Sequence, residues 1–384
     1  MDNKIIYLDH SATTAVDERV LQKMIPYFNI SYGNPSSIYS IGRKNKAAIE
    51  SARNSISSII GAKSKEIYFT SCGSESDNLA LKGTAAVNTK KHIITSKIEH
   101  PAILNTCKCL EENGYRITYL NVNKNGIIDI KELERSITED TFLISIMFAN
   151  NELGTIEPIK EIGKIAKERN IYFHTDAVQA IGNIIINVKD LGIDLLSMSA
   201  HKFYGPKGVG ALYVNENVKF KSIQNGGGQE KGKRAGTENV AGIIGMSEAL
   251  KYSYENFEIK NNILINLRNY FLNKLKENIP EIKINGDLKN RLPGNVNVSF
   301  KNCDGGELLL DLDYYGICAS SGSACSAGSS KPSHVLTAIG LDSKTANGTL
   351  RFTLGKENTK EEIDYVIKIL VKSILKNKKR YDSI

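Results

Sequence analysis

Four groups of polar residues each follow a short apolar run in the sequence, at Ser74, Asn151, Asp176 and Lys202, and together they offer the chemistry that one cofactor needs. Lys202, just before the turn Tyr-Gly-Pro-Lys-Gly, is a fixed amine that can form a Schiff base with an aldehyde. Asp176 can keep a ring nitrogen protonated, and Gly73 with Ser74 at a helix N-terminus suits a phosphate. Each residue alone has a structural explanation, such as a helix cap at Ser74. Their combination predicts pyridoxal 5′-phosphate as the cofactor.

These polar residues fall where the predicted strands end. The continuous apolar run of Phe142–Phe148 indicates a strand buried on both faces. Strands alternate with helix-period patterns, which predicts βαβ units and a mainly parallel sheet covered by helices. In such sheets ligands bind beyond the carboxyl ends of the strands. The predicted strands are Ile67–Thr70, Phe142–Phe148, Ile171–Thr175, Leu195–Ser199 and Val209–Val214.

The pattern changes after about residue 249. A long amphipathic helix is predicted around Leu267 and Phe271, and it should end near Pro280 because proline cannot continue a helix. Later predicted elements are strands at Asn295–Phe300 and Thr349–Leu354, a helix at Glu307–Asp313, and a last helix opened by a capping box at Thr359. We expect an α/β fold with a large cofactor-binding domain over residues 12–258. A smaller α+β domain is expected over residues 259–384 together with residues 1–11.

Composition excludes several classes of protein. The chain has 384 residues, 41% hydrophobic and 24% charged, which is ordinary for a folded protein and unlike a disordered one. Six cysteines without a matching Cys or His pair predict neither a disulfide scaffold nor a metal site. The N-terminus shows no secretory signal and no apolar run reaches about 18 residues, so we expect a cytoplasmic protein. The net charge of +8 accompanies no nucleic-acid-binding motif, and neither nucleic acid nor membrane is an expected partner.

Ten segments, in order along nearly the whole chain, resemble the motifs of one family. They are YLDHSATT, YGNPSSIYSIGR, IYFTSCGSESDNLALKG, HIITSKIEHPAI, ANNELGTIEPI, HTDAVQ, SAHKFYGPKG, GGGQEKGKRAGTENV, SSGSACSAG and LRFTLGKENT. In these motifs the chain resembles a cysteine desulfurase of the NifS/IscS type, within the class V aminotransferases of fold type I. The resemblance implies removal of sulfur from L-cysteine to give L-alanine, and a homodimer. It also implies transfer of the sulfur to an iron–sulfur scaffold or another acceptor protein.

The resemblance further implies a role for each matching residue. Lys202 would bind the cofactor covalently, Asp176 would keep its ring nitrogen protonated, and His100 would lie over the ring and assist proton transfer. Asn34 and Arg351 would bind the substrate carboxylate. The remaining cofactor ligands would be Asn151 and Gln179 on the ring hydroxyl side, with Gly73, Ser74, Ser199, His201 and, from a second subunit, Thr237 at the phosphate.

Cys325 is expected to carry the sulfur as a persulfide. It lies in Ser320–Ser330, a run of serine, glycine and alanine without apolar packing, whereas a free cysteine is usually a small buried hydrophobe. The run predicts a loop from which the thiolate can attack a substrate sulfur and then carry it to an acceptor. Cys72, beside the expected phosphate site, is predicted to be an inert turn residue.

Three alternatives stay open at this point. Selenocysteine lyase or aminotransferase activity would use the same fold, and a non-catalytic scaffold would use only the basic surface. The loop thiol argues against an aminotransferase, which needs none. The presence of both Lys202 and Asp176 argues against a scaffold.

Overall fold

The computed structural model of the chain describes residues 5–279, 281–321 and 332–381. The strands of these residues are β1 (Ile6–Tyr7), β2 (Ile67–Thr70), β3 (His92–Ser96), β4 (Arg116–Leu120), β5 (Thr141–Ser145), β6 (Tyr172–Asp176), β7 (Leu195–Ser199), β8 (Gly210–Val214), β9 (Ile282–Ile284), β10 (Asn295–Phe300), β11 (Ile317–Cys318), β12 (Ser320–Ser321) and β13 (Thr349–Thr353). The helices are α1 (Glu18–Met24), α2 (Pro26–Asn29), α3 (Ser40–Ile59), α4 (Gly73–Ala85), α5 (Pro101–Glu112), α6 (Ile130–Ser136), α7 (Ile159–Glu168), α8 (Gln229–Gly232), α9 (Val240–Tyr254), α10 (Phe257–Asn278), α11 (Gly305–Tyr314), α12 (His334–Ala338), α13 (Ser343–Asn347) and α14 (Lys360–Tyr381).

The largest sheet has seven strands in the order β2-β8-β7-β6-β5-β3-β4. Strands β7, β6, β5, β3 and β4 run parallel to one another, while β8 is antiparallel to both β2 and β7. Helices α5, α6 and α7 connect β3 to β4, β4 to β5 and β5 to β6, as in βαβ units. The expected α/β fold with a mainly parallel sheet covered by helices is confirmed.

Both faces of this sheet are buried, which explains why its strands are continuously apolar. Ile94 and Ile144 belong to one cluster of buried side chains, and their chain neighbours Ile93 and Leu143 belong to another. Successive side chains of a strand point to opposite faces, so the two clusters lie on opposite sides of the sheet. Helices on both sides are needed to cover it, and the carboxyl ends of the strands stay open to a ligand.

A second sheet has four antiparallel strands in the order β12-β13-β10-β9. It shares a separate cluster of buried side chains with α10, α11 and α14, including Phe271, Leu312, Phe352 and Leu370. Near the start of the chain, β1 pairs in parallel with β11, and Asp9 forms a single bridge with Thr353 of β13. These contacts support the expected small domain, whose boundary at residues 258 and 259 stays a prediction.

Strands β2, β7 and β10 have the bounds that the sequence predicts, whereas β5 is shorter than its apolar run. The run continues to Phe148, but β5 ends at Ser145. The backbone N–H of Met147 donates to the side chain of Glu99 (2.9 Å) instead of to β3, so the pairing with β3 ends. The last helix begins with the predicted capping box, in which Thr359 and Glu362 exchange hydrogen bonds.

Candidate active site

The carboxyl ends of β5, β6 and β7 lie side by side and face a cavity of about 510 Å³. Ten residues singled out in the sequence line this cavity: Gly73, Ser74, His100, Asn151, Asp176, Gln179, Ser199, His201, Lys202 and Arg351. Most follow the end of a parallel strand, where a doubly wound sheet binds its ligands. Arg351 is different, because it comes from β13 of the four-stranded sheet. The cavity therefore lies between the two sheets.

Lys202 lies on a short 3-10 turn that directly follows β7. Its Nζ donates hydrogen bonds to the backbone carbonyls of Ser11 (2.7 Å) and Ala12 (2.6 Å). The chain turns tightly after the lysine, because a Cβ on Gly205 would come within 2.8 Å of Ala200. The amine thus lines the cavity and is held by backbone carbonyls of Ser11 and Ala12.

The N-terminus of α4 lines the cavity and has features that suit an anion. A Cβ on Gly73 would lie 2.6 Å from the Val178 side chain, so only glycine leaves this approach open. Ser199 Oγ is buried and has no hydrogen-bond partner among the described residues, which fits a ligand oxygen as its missing partner. His201 bonds Thr13 Oγ1 through Nδ1 (3.1 Å). Backbone N–H groups and the helix dipole favour a phosphate at such a position.

Asp176 is the last residue of β6 and is 6% exposed. Its Oδ1 accepts a hydrogen bond from the backbone N–H of Val178 (2.9 Å). Burial raises the pKa of this carboxyl group, while His100 and Lys202 nearby lower it. A buried carboxylate that faces a cavity is suited to hold a proton on a heterocyclic nitrogen.

His100 caps the N-terminus of α5 and lines the cavity close to Asp176. The backbone N–H of Ala102 donates to His100 Nδ1 (3.1 Å), so the proton of the neutral ring belongs on Nε2. Burial lowers the pKa of His100, and Lys202 lowers it further while Asp176 raises it. A neutral imidazole with a fixed tautomer can pass a proton at Nε2.

The side chain of Arg351 is buried, and only part of its guanidinium group forms hydrogen bonds with the described residues. Its Nη2 donates to Asp9 Oδ1 (2.7 Å) and its Nη1 to the backbone carbonyl of Asn151 (3.1 Å). Its Nε has no hydrogen-bond partner among the described residues. The guanidinium of Arg351 can bind a carboxylate in the cavity that Lys202 also lines.

The side-chain amide of Gln179 donates a hydrogen bond to the Ser11 carbonyl (2.9 Å), and this bond joins Gln179 to the segment that holds Lys202.

Two acids beside Arg351 have no role in the sequence-based prediction. Asp9 Oδ2 accepts a hydrogen bond from Ser320 (2.7 Å), and Glu152 Oε2 accepts one from Ser333 (2.6 Å). Burial raises the pKa of Glu152 to about 7, although Ser333 and Arg351 lower it. Asp9 stands within YLDHSATT and Glu152 within ANNELGT, so their motifs were visible in the sequence but the contacts were not.

Three further acidic or basic residues were also missed. Asp77 and His334 line the cavity, and Glu99 precedes His100 as a fully buried residue. Burial raises the pKa of Glu99 to about 8 and lowers that of His334. Asp77 follows Gly73 by one helical turn, which was the one sequence signal that could have placed it near the site.

Three predicted residues are not among those that line the cavity. Asn34 is exposed and its Oδ1 accepts a hydrogen bond from the backbone of Ser36 (2.9 Å). Thr237 is also exposed, in the segment between α8 and α9. Cys325 lies outside the residues that the structure describes. Their roles stay predictions.

The fold and the residues of this site are typical of an enzyme that binds pyridoxal 5′-phosphate, and comparison with known proteins identifies the family. The profile of the family "Aminotransferase class-V" matches residues 6–366. The chain is 55% identical over 376 residues to "Cysteine desulfurase IscS" of Clostridium botulinum, covering 97% of this chain and 95% of that protein. It is 52% identical to the protein of the same name from Methanosarcina thermophila, over 98% of this chain and 93% of that one.

Comparison with solved structures finds proteins of the same kind. A "NifS-like protein" superposes with a TM-score of 0.91 at 40% identity, over 97% of this chain and 99% of that one. "SspA in complex with cysteine" superposes with a TM-score of 0.81 at 39% identity, over 92% of this chain and all of that one. The chain belongs to the class V aminotransferase family. Within that family it is a cysteine desulfurase.

Among the helices of the described residues, none combines the length and apolarity needed to cross a membrane.

Proposed function

We propose that this protein uses pyridoxal 5′-phosphate to take the sulfur atom from L-cysteine, which leaves as L-alanine, and that Cys325 holds the sulfur as a persulfide. The convergence of Lys202, Asp176 and the N-terminus of α4 on one cavity carries the proposal. We further propose that an acceptor protein, such as an iron–sulfur scaffold, receives the sulfur. The cytoplasm is the proposed location because the thiol must stay reduced.

The chemistry of the cavity fits the cofactor. Ser199 Oγ, which has no partner among the described residues, and the glycine at the start of α4 suit its phosphate, and Asp176 suits its ring nitrogen. Lys202 Nζ is the amine that would bind its aldehyde, and Asn151 with Gln179 would contact the ring hydroxyl side. When bound, the cofactor supplies an electron sink for the charge that develops at the substrate Cα.

The chain's own residues bind the substrate and move its protons. Arg351, whose Nε bonds none of the residues that the structure describes, would bind the α-carboxylate of L-cysteine. Lys202, once released, would take the proton from Cα and return one to the product. His100 Nε2 would pass a proton to or from the substrate sulfur.

The sulfur transfer step balances without an external oxidant. The Cys325 thiolate attacks the substrate sulfur, and an S–S bond forms as the C–S bond breaks. The electron pair of the broken bond stays with the carbon skeleton, which takes up a proton and leaves as L-alanine. The terminal sulfur of the persulfide then passes to a nucleophile of the acceptor.

We also propose a homodimer with shared active sites. The segment after α1 exposes large apolar side chains, Phe28 (64%), Ile30 (70%), Tyr32 (70%) and Ile38 (88%), a patch suited to cover by a second copy. Thr237 is exposed in one chain and would reach the phosphate in the other. Mixing Lys202→Ala with Thr237→Ala chains should restore activity, because one of the two sites in the mixed dimer is intact. If mixing restores nothing, the sites are not shared.

The direct test adds L-cysteine and reductant and measures alanine and sulfide. Lys202→Ala should lose both products and the visible absorbance of the bound cofactor, whereas Lys207→Ala, in an exposed position on the same turn, should keep them. Cys325→Ser should lose sulfide release, and Cys109→Ser should not. Mass mapping after L-cysteine treatment should find the extra sulfur on Cys325. Extra sulfur on Cys72 in Cys325→Ser, or full sulfide release by that variant, would contradict the assignment.

A further inference from the structure

Asp77 is a buried acid of the cavity that the proposed function does not use. It lies in α4, one turn after Gly73, and is 1% exposed. One carboxylate oxygen of Asp77, one of Asp176 and one ring nitrogen of His100 all lie within 4.8 Å of one another. Two carboxyl groups therefore lie close together away from solvent, beside the imidazole. Two such groups do not both ionise easily, so their proximity favours a proton on one of them.

The surroundings of Asp77 give it little support as an anion. Its Oδ1 accepts no hydrogen bond from the described residues and lies 3.7 Å from His174 Nε2. Burial lowers the pKa of His174 to about 3, so this ring is neutral and brings no positive charge. Burial and the acidic neighbours Asp176, Glu99 and Cys72 raise the pKa of Asp77, while the Ser197 hydroxyl lowers it.

The surroundings of Asp176 are different. Its carboxylate accepts the Val178 N–H, and the neighbouring His100 and Lys202 lower its pKa. Hydrogen bonds and positive charge both favour the ionised form of a carboxyl group. Of the two acids, Asp176 is therefore better suited to carry the charge and Asp77 to keep the proton.

We propose that Asp77 is a positioning residue for Asp176, and that it keeps the proton of the buried carboxyl pair so that Asp176 alone presents a negative charge to the cofactor ring nitrogen. A second charge in the same place would repel Asp176 and weaken its fixed orientation. The inference rests on the proposed function, because it takes Asp176 as the partner of that nitrogen.

Infrared difference spectroscopy tests the proton directly. In the cofactor-loaded full-length protein at neutral pH, wild type minus Asp77→Asn should show the carbonyl band of one protonated carboxyl group. Glu157→Gln is the matched control, since it removes another buried acid that does not line the cavity. The band of the protonated Glu157 carboxyl group, which Glu157→Gln removes, should be separate from that of Asp77. It should persist in Asp77→Asn. If no protonated band is lost in Asp77→Asn, Asp77 is ionised and the proposal is wrong.

The second readout is the pH titration of the visible absorbance of the bound cofactor. Asp77→Asn keeps a neutral hydrogen-bonding group and should titrate as the wild type does. Asp77→Leu has similar volume without a donor, so Asp176 loses its polar neighbour and the titration should shift. If the two variants titrate alike, Asp77 only fills space and the proposal fails. Failure of the proposed function would look different, because the wild type would then release no alanine while the infrared band still reported the Asp77 proton.

Discussion

Arg351 and Asp9 form a buried ion pair, with 2.7 Å between Nη2 and Oδ1, at the boundary between the two sheets. The arginine side chain is 2% exposed and the aspartate side chain 14%. Asp9 uses its other oxygen for Ser320, so one carboxylate joins the proposed substrate-binding residue to the strand that precedes residues 322–331. The pair holds the guanidinium in place before a substrate arrives, which lowers the cost of binding a carboxylate.

Arg351→Lys should weaken substrate binding more than it slows turnover. Lysine keeps the charge but loses the planar fork, so we expect KM for L-cysteine to rise about 10- to 100-fold, as loss of one charged hydrogen bond predicts. Steady-state alanine release measures KM and kcat separately. Arg291→Lys is the control, because Arg291 is buried but bonds the carbonyls of Leu153 and Asn285, away from the cavity. An unchanged KM in Arg351→Lys would exclude this residue from carboxylate binding.

His100→Gln should lower kcat for desulfuration by about 10²- to 10⁴-fold, the usual contribution of one positioned proton donor. Glutamine can fill the space but cannot exchange a proton at the position of Nε2. His92→Asn is a suitable comparison, because His92 is a buried histidine that bonds Thr141 and Thr118 within the sheet. Single-turnover measurements of alanine formation should show the loss only in His100→Gln. Equal rates in both variants would mean that His100 has no part in proton transfer.

Glu230→Ala should destabilise the fold by about 3–5 kcal/mol, since it leaves a buried arginine without its partner. Arg53 donates to both oxygens of Glu230 at 2.7 Å, and each side chain is 4% exposed. Glu216→Ala removes a carboxylate that pairs with Lys63 and Lys65 at the surface, and it should cost much less. Urea denaturation compares the two. Glu230 also fixes the segment that leads to Thr237, so equal losses would argue that this segment is held by other contacts.

Glu157→Gln should make the stability of the protein less sensitive to pH. Burial raises the pKa of Glu157 from 4.5 to about 8, so the folded state holds a proton that the unfolded state has lost between these values. Wild-type stability must therefore fall as pH rises through this window, by up to about 1.4 kcal/mol per pH unit from this group. Glu157→Gln lacks that contribution. Its free energy of unfolding, relative to that of the wild type, should therefore increase from pH 5 to pH 8.

Urea denaturation at several pH values measures this gain. Glu161→Gln, at an exposed position of α7, is the control and should follow the wild type. Glu99 and Glu152 titrate in the same direction and stay in both proteins, so a residual slope is expected. A difference between wild type and Glu157→Gln that does not change with pH would show that Glu157 is ionised in the folded state.

Much of the site was predictable because strand ends are local features. The apolar runs that end at Thr70 and Ser199 define β2 and β7, and the residues that follow them lie in the cavity as expected. Lys202 and Asp176 could thus be placed together from alternating patterns and the rule for parallel sheets.

The contacts that join distant parts of the chain were not predictable. Asp9 looks like a turn residue in the sequence, and nothing local marks it as the partner of Arg351. Asp77 looks like an acid in the first half of a helix, a common position that favours the helix dipole. Asp77 is buried because β6 and β7 pack against α4. This packing is a tertiary contact that the local sequence does not indicate.

The hydrogen bonds from Lys202 to the carbonyls of Ser11 and Ala12, and from Arg351 to Asp9, have a consequence for how the protein is made. Asp9 and Arg351 are 342 positions apart, so Asp9 leaves the ribosome long before β13, which carries its partner, has been made. The large sheet can assemble during translation, but the cavity acquires its carboxylate-binding side only after β13 emerges from the exit tunnel. Nascent chains should therefore become compact before they become able to bind substrate.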